Sequence, residues 1–364
     1  MLKSLDKKKI IIISASFIGF IILIIILLLI YHALKGHEYT YKEIEQKMVT
    51  AAKNYYSDND NLLPTNTNEQ LTVDTATLTS LDYLTDINEM TKTGVTCSGK
   101  VIVSYNNEKY RYTPILECGE SYKSQTLYSY IENNVERVFE GSGLYDLNGD
   151  YVYRGERPKN YLTLSNRLYR IVKLTDNHVV LILDHQGIRS VWDNRYNLDR
   201  RADEGINDYK VSRVKEMLDT AYKNNTLVSE EDRQFLAPQK VYTGKRKQYD
   251  NYNDGSIEKS DYLENQPIGL LPLYDFINAS IDNNCNSYLT NSCVNYNYLT
   301  SYPYNWWTST AYSDNSYQVY LISGGVMNIV KANTNAYARP VIYLVSDAIY
   351  VSGDGTKDNP YVVK

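Results

Sequence analysis

Residues 304–326, YNWWTSTAYSDNSYQVYLISGGV, set two of the chain's three tryptophans side by side. Neighbouring residues on a β-strand point to opposite faces, so Trp306 and Trp307 fill one core together only if the segment is not a simple strand. The alternation that follows groups Trp307 with Ser309 on one face and Trp306 with Thr308 on the other. Further along, residues 318–322 read as a strand, SGG as a turn, and residues 326–330 and 340–344 as two more strands. The ending SGDGTKDNPYVVK offers a Gly-Asp-Gly turn and a last short strand.

Working back from this stretch, residues 281–305 (IDNNCNSYLTNSCVNYNYLTSYPYN) hold Cys285 and Cys293, close enough to clip a loop. They also hold Tyr288, Tyr296, Tyr298, Tyr302 and Tyr304 among many Asn and Ser. Tyrosine supplies rigid apolar area plus a hydroxyl at low entropic cost, and asparagine both donates and accepts. A solvated loop enriched in Tyr by genome bias accounts for the same letters, because the whole chain has 37 Tyr against 5 Phe. Before the loop, IGLLPLYDFINAS leads into a helix, and DYKVSRVKEMLDTAYKN is a helix with Val211, Val214, Leu218 and Tyr222 on one face. NYLTLSNRLYRIVKLTDNHVVLILD gives strands at Leu162 and Leu164, at 168–174 and at 179–183, with TDN as a turn.

Together, NWWTSTAYSDNSYQVYLISGGV and the later AYARPVIYL resemble the closing half of the C-type-lectin-like fold of bacterial surface proteins. That group includes the Fibrobacter major paralogous domain and distant relatives of the formylglycine-generating enzyme. GDYVYRGERPKNYLTLSNRLYRIV resembles the opening of Firmicutes surface domains with the same ending. The resemblance covers roughly residues 145–364. It implies an α+β domain with two small antiparallel sheets, two helices and long loops, in which Trp307 is the structural tryptophan. Trp306 is left for one of two uses, half-buried beneath a loop or part of a ligand platform. The resemblance further implies ligand contact by the long loop, through Tyr288, Tyr296, Tyr298, Tyr302, Tyr304 and Trp306.

The N-terminal third reads differently. Ile10 to Ile30 is a run of 21 residues without a charge, broken only by Ser14, Ser16 and Gly19, and long enough as a helix to span about 30 Å of hydrocarbon. Lys3, Lys7, Lys8 and Lys9 precede it, which predicts a cytoplasmic N-terminus and export of the rest. No small-x-small cleavage site follows in IYHALKGHEY, so the expectation is an uncleaved anchor in the lipid bilayer. Thr40 with Glu43 forms a capping-box pattern, and Ile44, Met48, Ala52 and Tyr55 recur at helical spacing up to Asn59, Asn61 and Pro64. A short second helix is expected over 77–84.

In CSGKVIVSYNNEKYRYTPILEC, Val101, Val103 and Tyr105 alternate before the NNEK turn, and Tyr110 and Tyr112 after it. A hairpin centred on Asn107 and Glu108 pairs residues whose numbers sum to 215, and Cys97 with Cys118 meets that sum. Opposed antiparallel residues lie within disulfide range, and outside the membrane such a pair is oxidised. Anchor, amphipathic helix and disulfide-closed sheet loosely resemble a type IV pilin-like module. The chain lacks the Gly-Phe processing site and the Glu near the start of the apolar run, so the resemblance implies a fixed stalk rather than a polymerising subunit.

The expected organisation is a cytoplasmic tail at 1–9, an anchor at 10–30, a stalk at 31–125 with its hairpin at 100–115, a linker at 126–143 and a lectin-like domain at 144–364. A net charge of −5 excludes strong attraction to nucleic acid. The β-lactamase-like fragments at Ser212 to Lys215, Ser313 to Asn315 and Lys92 to Gly94 stand in the wrong order for that chemistry. DLNGD at 146–150 begins like a calcium loop but has Arg157 where a bidentate Glu is needed. Gln266-Pro267-Ile268 lacks the acid of a calcium-dependent sugar site, and no Cys follows Cys293 to support formylglycine-type chemistry. GKRK at 244–247 reads as a solvated loop, and His178 and His185 as structural. The expectation is a single-pass plasma-membrane protein with an extracellular bulk, non-enzymatic, without cofactor or metal, binding a carbohydrate or surface-protein ligand. The alternatives are an exported enzyme on a formylglycine-generating-enzyme-like scaffold and a structural envelope component.

Overall fold

The computed structural model describes residues 39–364 except 68, 92, 93, 107, 108, 148 and 186. The expected tail at 1–9 and anchor at 10–30 lie outside the described residues. Among the described residues no helix is long and apolar enough to cross a membrane. The chain is α+β, built mostly of sheets with few helices.

The smaller core gathers residues between Ile44 and Cys118. Helix α1 (Tyr41–Asp58) starts at the capping box: Glu43 N–H donates to Thr40 Oγ1 at 3.3 Å, and Thr40 N–H donates to Glu43 Oε2 at 2.8 Å. Its buried stripe is Ile44, Met48, Ala51, Ala52 and Tyr56. The expected Tyr55 is only half-buried, because the face drifts towards the i+4 neighbour of Ala52. Then come β1 (Gln70–Asp74), α2 (Thr75–Ser80), α3 (Ile87–Met90), β2 (Ser98–Asn106), β3 (Lys109–Cys118) and β4 (Tyr122–Lys123), with the sheet ordered β1-β2-β3-β4. The β2–β3 register runs from Ser98 opposite Glu117 to Asn106 opposite Lys109, the pairing the sequence predicts. The Cys97–Cys118 disulfide closes the hairpin mouth with Cα atoms 4.1 Å apart.

The larger core runs from Leu127 to Tyr361. It begins inside the segment expected to be a linker. Helix α4 (Leu127–Asn134) buries Leu127 and Ile131, and Leu127 N–H donates to Ala348 C=O at 2.8 Å. Residues 126–134 therefore pack into the larger core, and the helix ends at Asn134. Strands β5 (Gly143–Leu147), β6 (Asp150–Arg154), β7 (Tyr161–Leu164), β8 (Arg167–Thr175), β9 (His178–Leu183) and β10 (Ile188–Val191) follow. Asp176 and Asn177, both at positive φ, make the β8–β9 turn, where short polar side chains tolerate left-handed backbone. Helix α5 (Arg213–Lys223) starts at Ser212, so Val211 lies outside it and is exposed, while Val214, Leu218 and Ala221 face the core.

The rest comprises β11 (Leu236–Ala237), β12 (Gln239–Tyr242), α6 (Ser256–Lys259), β13 (Tyr262–Gln266), α7 (Leu273–Asn278), β14 (Trp306–Ala311), β15 (Gln318–Ser323), β16 (Val326–Lys331), β17 (Asn335–Ala338), β18 (Val341–Leu344), β19 (Tyr350–Ser352) and β20 (Val362–Val363). A five-stranded sheet has the order β10-β17-β14-β15-β16, and a seven-stranded sheet runs β11-β18-β9-β8-β6-β5 with β7 beside β8. Both are larger than the two small sheets expected, and β14 pairs parallel with β17.

Strand β14 is buried at every position. Trp306, 1% exposed, packs edge-on to Phe276 of α7 at 5.8 Å with the Arg339 guanidinium 4.9 Å over its ring. Trp307 meets Trp192 at 6.0 Å and donates its indole N–H to Ser190 C=O at 3.1 Å. Both tryptophans are core residues because both faces of this sheet are covered, which removes Trp306 from any surface platform.

The two cores are docked. One face of the β2–β3 hairpin packs on α1; the other presents Arg111 and Thr113 to Asp347 of the larger module. Arg111 Nη1 lies 2.5 Å from Asp347 Oδ1, with side chains 7% and 2% exposed, and Thr113 Oγ1 donates to Asp347 Oδ2 at 2.7 Å.

Candidate functional site

The loop between α7 and β14 is pinned at its base. Asn297 Nδ2 donates to Phe276 C=O at 2.7 Å, Ile281 N–H to Tyr296 C=O at 3.1 Å, and Tyr298 N–H to Gly155 C=O at 2.7 Å. Cys285 and Cys293 are disulfide-bonded and buried, with Cα atoms 4.7 Å apart. Closing a loop this short removes about 2.5 kcal/mol of chain entropy from the unfolded state.

Only some of the expected contact residues reach the surface. Tyr298 is buried, with Arg170 4.6 Å over its ring. Tyr302 is also buried and carries Arg339 on its face at 4.5 Å. Burial without a carboxylate in hydrogen-bond contact pulls the Arg339 guanidinium down to about 10. Tyr298, Tyr302 and Trp306 thus hold the loop to the core and are corrected from ligand contacts to packing residues. Tyr288 is half-buried against that core. Tyr296 and Tyr304 are exposed, at 46% and 53%, and Tyr304 stacks on Tyr337 at 4.7 Å.

Beside the clip lies a cavity of about 290 Å³ lined by Arg154, Asn253, Asn278, Asp282, Asn283 and Asn286, among others. Among the described residues, no hydrogen bond within the chain engages the four asparagine amides. Arg154 sits at one wall, its Nε donating to Ser280 C=O at 2.9 Å and its guanidinium 4.9 Å over the Tyr145 ring. Desolvation pulls its pKa down from the usual arginine value. Asp282 accepts from Asn284 N–H at 2.8 Å. Each amide has a donor and an acceptor side, the pattern that matches neighbouring hydroxyls on a polyol. The Asn-rich string was visible in the sequence, but Arg154 and Asn253 come from distant segments with no local signal.

Several other charged and motif residues serve the fold. Lys173 Nζ lies 2.8 and 2.9 Å from the Asp275 oxygens; burial lowers its pKa, and Asp275 with Tyr343 overcomes that, leaving it raised. GKRK is corrected from a solvated loop: Arg246 is fully buried, its Nη2 2.6 Å from Glu258 Oε2, while its backbone N–H donates to Ala311 C=O at 2.9 Å. Ser212 caps α5 by accepting from Lys215 N–H at 3.2 Å. Asp146 and Asp150 flank the β5–β6 turn, and no cluster of three metal-binding side chains occurs among the described residues. His178 Nδ1 contacts Leu344 C=O at 2.7 Å.

Comparison with family models, curated proteins and solved structures finds no match for this chain.

Proposed function

We propose that this chain is a membrane-anchored extracytoplasmic recognition protein. Ile10 to Ile30 forms the bilayer anchor, the pilin-like module is a stalk, and the lectin-like domain binds a hydroxyl-rich ligand, a glycan or cell-wall fragment, without chemical turnover. The observation that carries the reading is the cavity beside the Cys285–Cys293 clip, where four asparagine amides without partners among the described residues stand with Asp282 and Arg154. Two disulfides, one in each module, support work in an oxidising compartment. Exposed Tyr296 and Tyr304 add aromatic surface on the same loop for sugar faces.

A glycan and cell-wall-fragment binding panel on the purified full-length chain tests this. Saturable binding should fall at least tenfold in Asn283→Ala/Asn286→Ala with the fold intact by circular dichroism. Absence of binding across the panel, or binding indifferent to those substitutions, overturns it; turnover of a bound fragment would move the assignment to an exported enzyme.

A further inference from the structure

A second cavity, of about 680 Å³, lies elsewhere, in the seam between the two modules. Its floor is the outer edge of β3. On that side, among the described residues, β3 has a strand partner only at Glu117 and Cys118, which pair with β4. Ser124 N–H donates to Leu116 C=O at 2.8 Å, so Leu116 turns its backbone groups outward, and the two-residue period turns those of Pro114, Tyr112 and Tyr110 the same way. No strand among the described residues takes up this edge. Pro114 lacks the N–H and marks where pairing stops.

One wall of the seam is α1, which presents Lys42, Val49 and Lys53; the other is Phe235 and Ile349 of the larger module. Ion pairs cross both ends, Lys364 with Glu45 at one and Lys109 with Glu230, 3.4 Å, at the other. Arg111 and Lys364, the other lining cations, are engaged by Asp347 and Glu45. Lys42 and Lys53 meet no carboxylate among the described residues, and Lys53 stands 5.7 Å over the Tyr112 ring. They are eleven positions apart on α1, about 16 Å. The free edge from Tyr110 to Pro114 is four extended steps, about 13 Å, a span the long flexible lysine side chains can close on.

We infer that the seam is a docking site for an extended acidic segment of a partner protein, which adds as a strand to β3 between Tyr110 and Pro114. Alternate side chains of an added strand face opposite walls. The arrangement selects acidic residues four apart for Lys42 and Lys53, a small apolar residue between them against Val49, and apolar residues at the intervening positions against Phe235 and Ile349.

The probe is an array of heptapeptides with Glu or Asp at positions 2 and 6 and Ile, Val or Thr between, titrated against the purified full-length chain. Members of the array should bind, weaken at least tenfold in Lys42→Glu/Lys53→Glu, and weaken again with added salt. N-methylation of one alternate set of peptide amides should abolish binding while the other set is tolerated, and the Tyr112 amide should gain hydrogen-exchange protection. Both lysines are exposed, so the double variant keeps the fold. No binder in the array, or binding unaffected by charge reversal, or equal tolerance of both N-methyl sets, overturns the inference. Failure here leaves the asparagine cavity, tested by separate substitutions, untouched.

Discussion

Removing Asp347 should separate the two modules. Asp347 faces Arg111 at 2.5 Å inside the seam, and Arg111 also donates to the Lys364 C=O at 3.0 Å and lies 5.0 Å from the Phe235 ring. Asp347→Ala leaves a guanidinium desolvated with only carbonyl acceptors, a loss of about 3–5 kcal/mol. That weakens docking by at least a hundredfold. All three tryptophans belong to the larger core, so indole fluorescence follows that module alone, while far-ultraviolet circular dichroism follows both. In urea the two signals should coincide for the parent chain. For Asp347→Ala the dichroism should fall first as the small module melts, with the fluorescence transition moving less. Arg111→Met with Asp347→Leu, which removes both charges, should recover most of the loss, since a buried pair replaced by apolar groups is often near neutral. A loss below about 1 kcal/mol, or coincident transitions in Asp347→Ala, would refute the docking argument.

Trp306→Ala should cost about 3–5 kcal/mol in equilibrium unfolding while Tyr304→Ala costs under about 1, because only the first empties a core position. Replacing Cys285 and Cys293 with Ser should lower stability by about 2.5 kcal/mol and weaken ligand binding. The same change at Cys97 and Cys118, costing about 3 kcal/mol, should leave binding unaltered, as a titration of both variants would show. Glu204 accepts from Lys331 and Arg200, which hold its carboxyl below the usual range. A depressed carboxyl contributes stability above its unfolded pKa and loses it as pH falls through the folded value. Thermal melts from pH 6 to pH 3 should therefore show a shallower acid decline for Glu204→Gln than for the parent.

Legibility in the sequence followed the range of the interactions. The β2–β3 register was readable because a short turn and two cysteines fix it locally, and so was the Thr40–Glu43 cap. The burial of Trp306 was not, since it depends on Phe276 of α7 and Arg339, distant from it in the sequence on either side. Arg246 looked solvated because its charge partner Glu258 follows on a separate short helix. Of the tyrosines in the 281–305 loop, the burial of Tyr298 and Tyr302 was not legible, because a hydroxylated ring suits a core wall with an arginine on its face as well as a surface. The asparagines of the loop line a cavity only because the fold brings Arg154 and Asn253 beside them.

The proposed function requires a chain that works outside the cytoplasm with its sulfurs paired. Peptide mapping of the native protein from intact cells, after external protease and alkylation of free thiols, tests this most directly. It should find the 39–364 region cleaved from outside, with Cys97 joined to Cys118 and Cys285 to Cys293. A region untouched by the protease, or four alkylated cysteines, would contradict it.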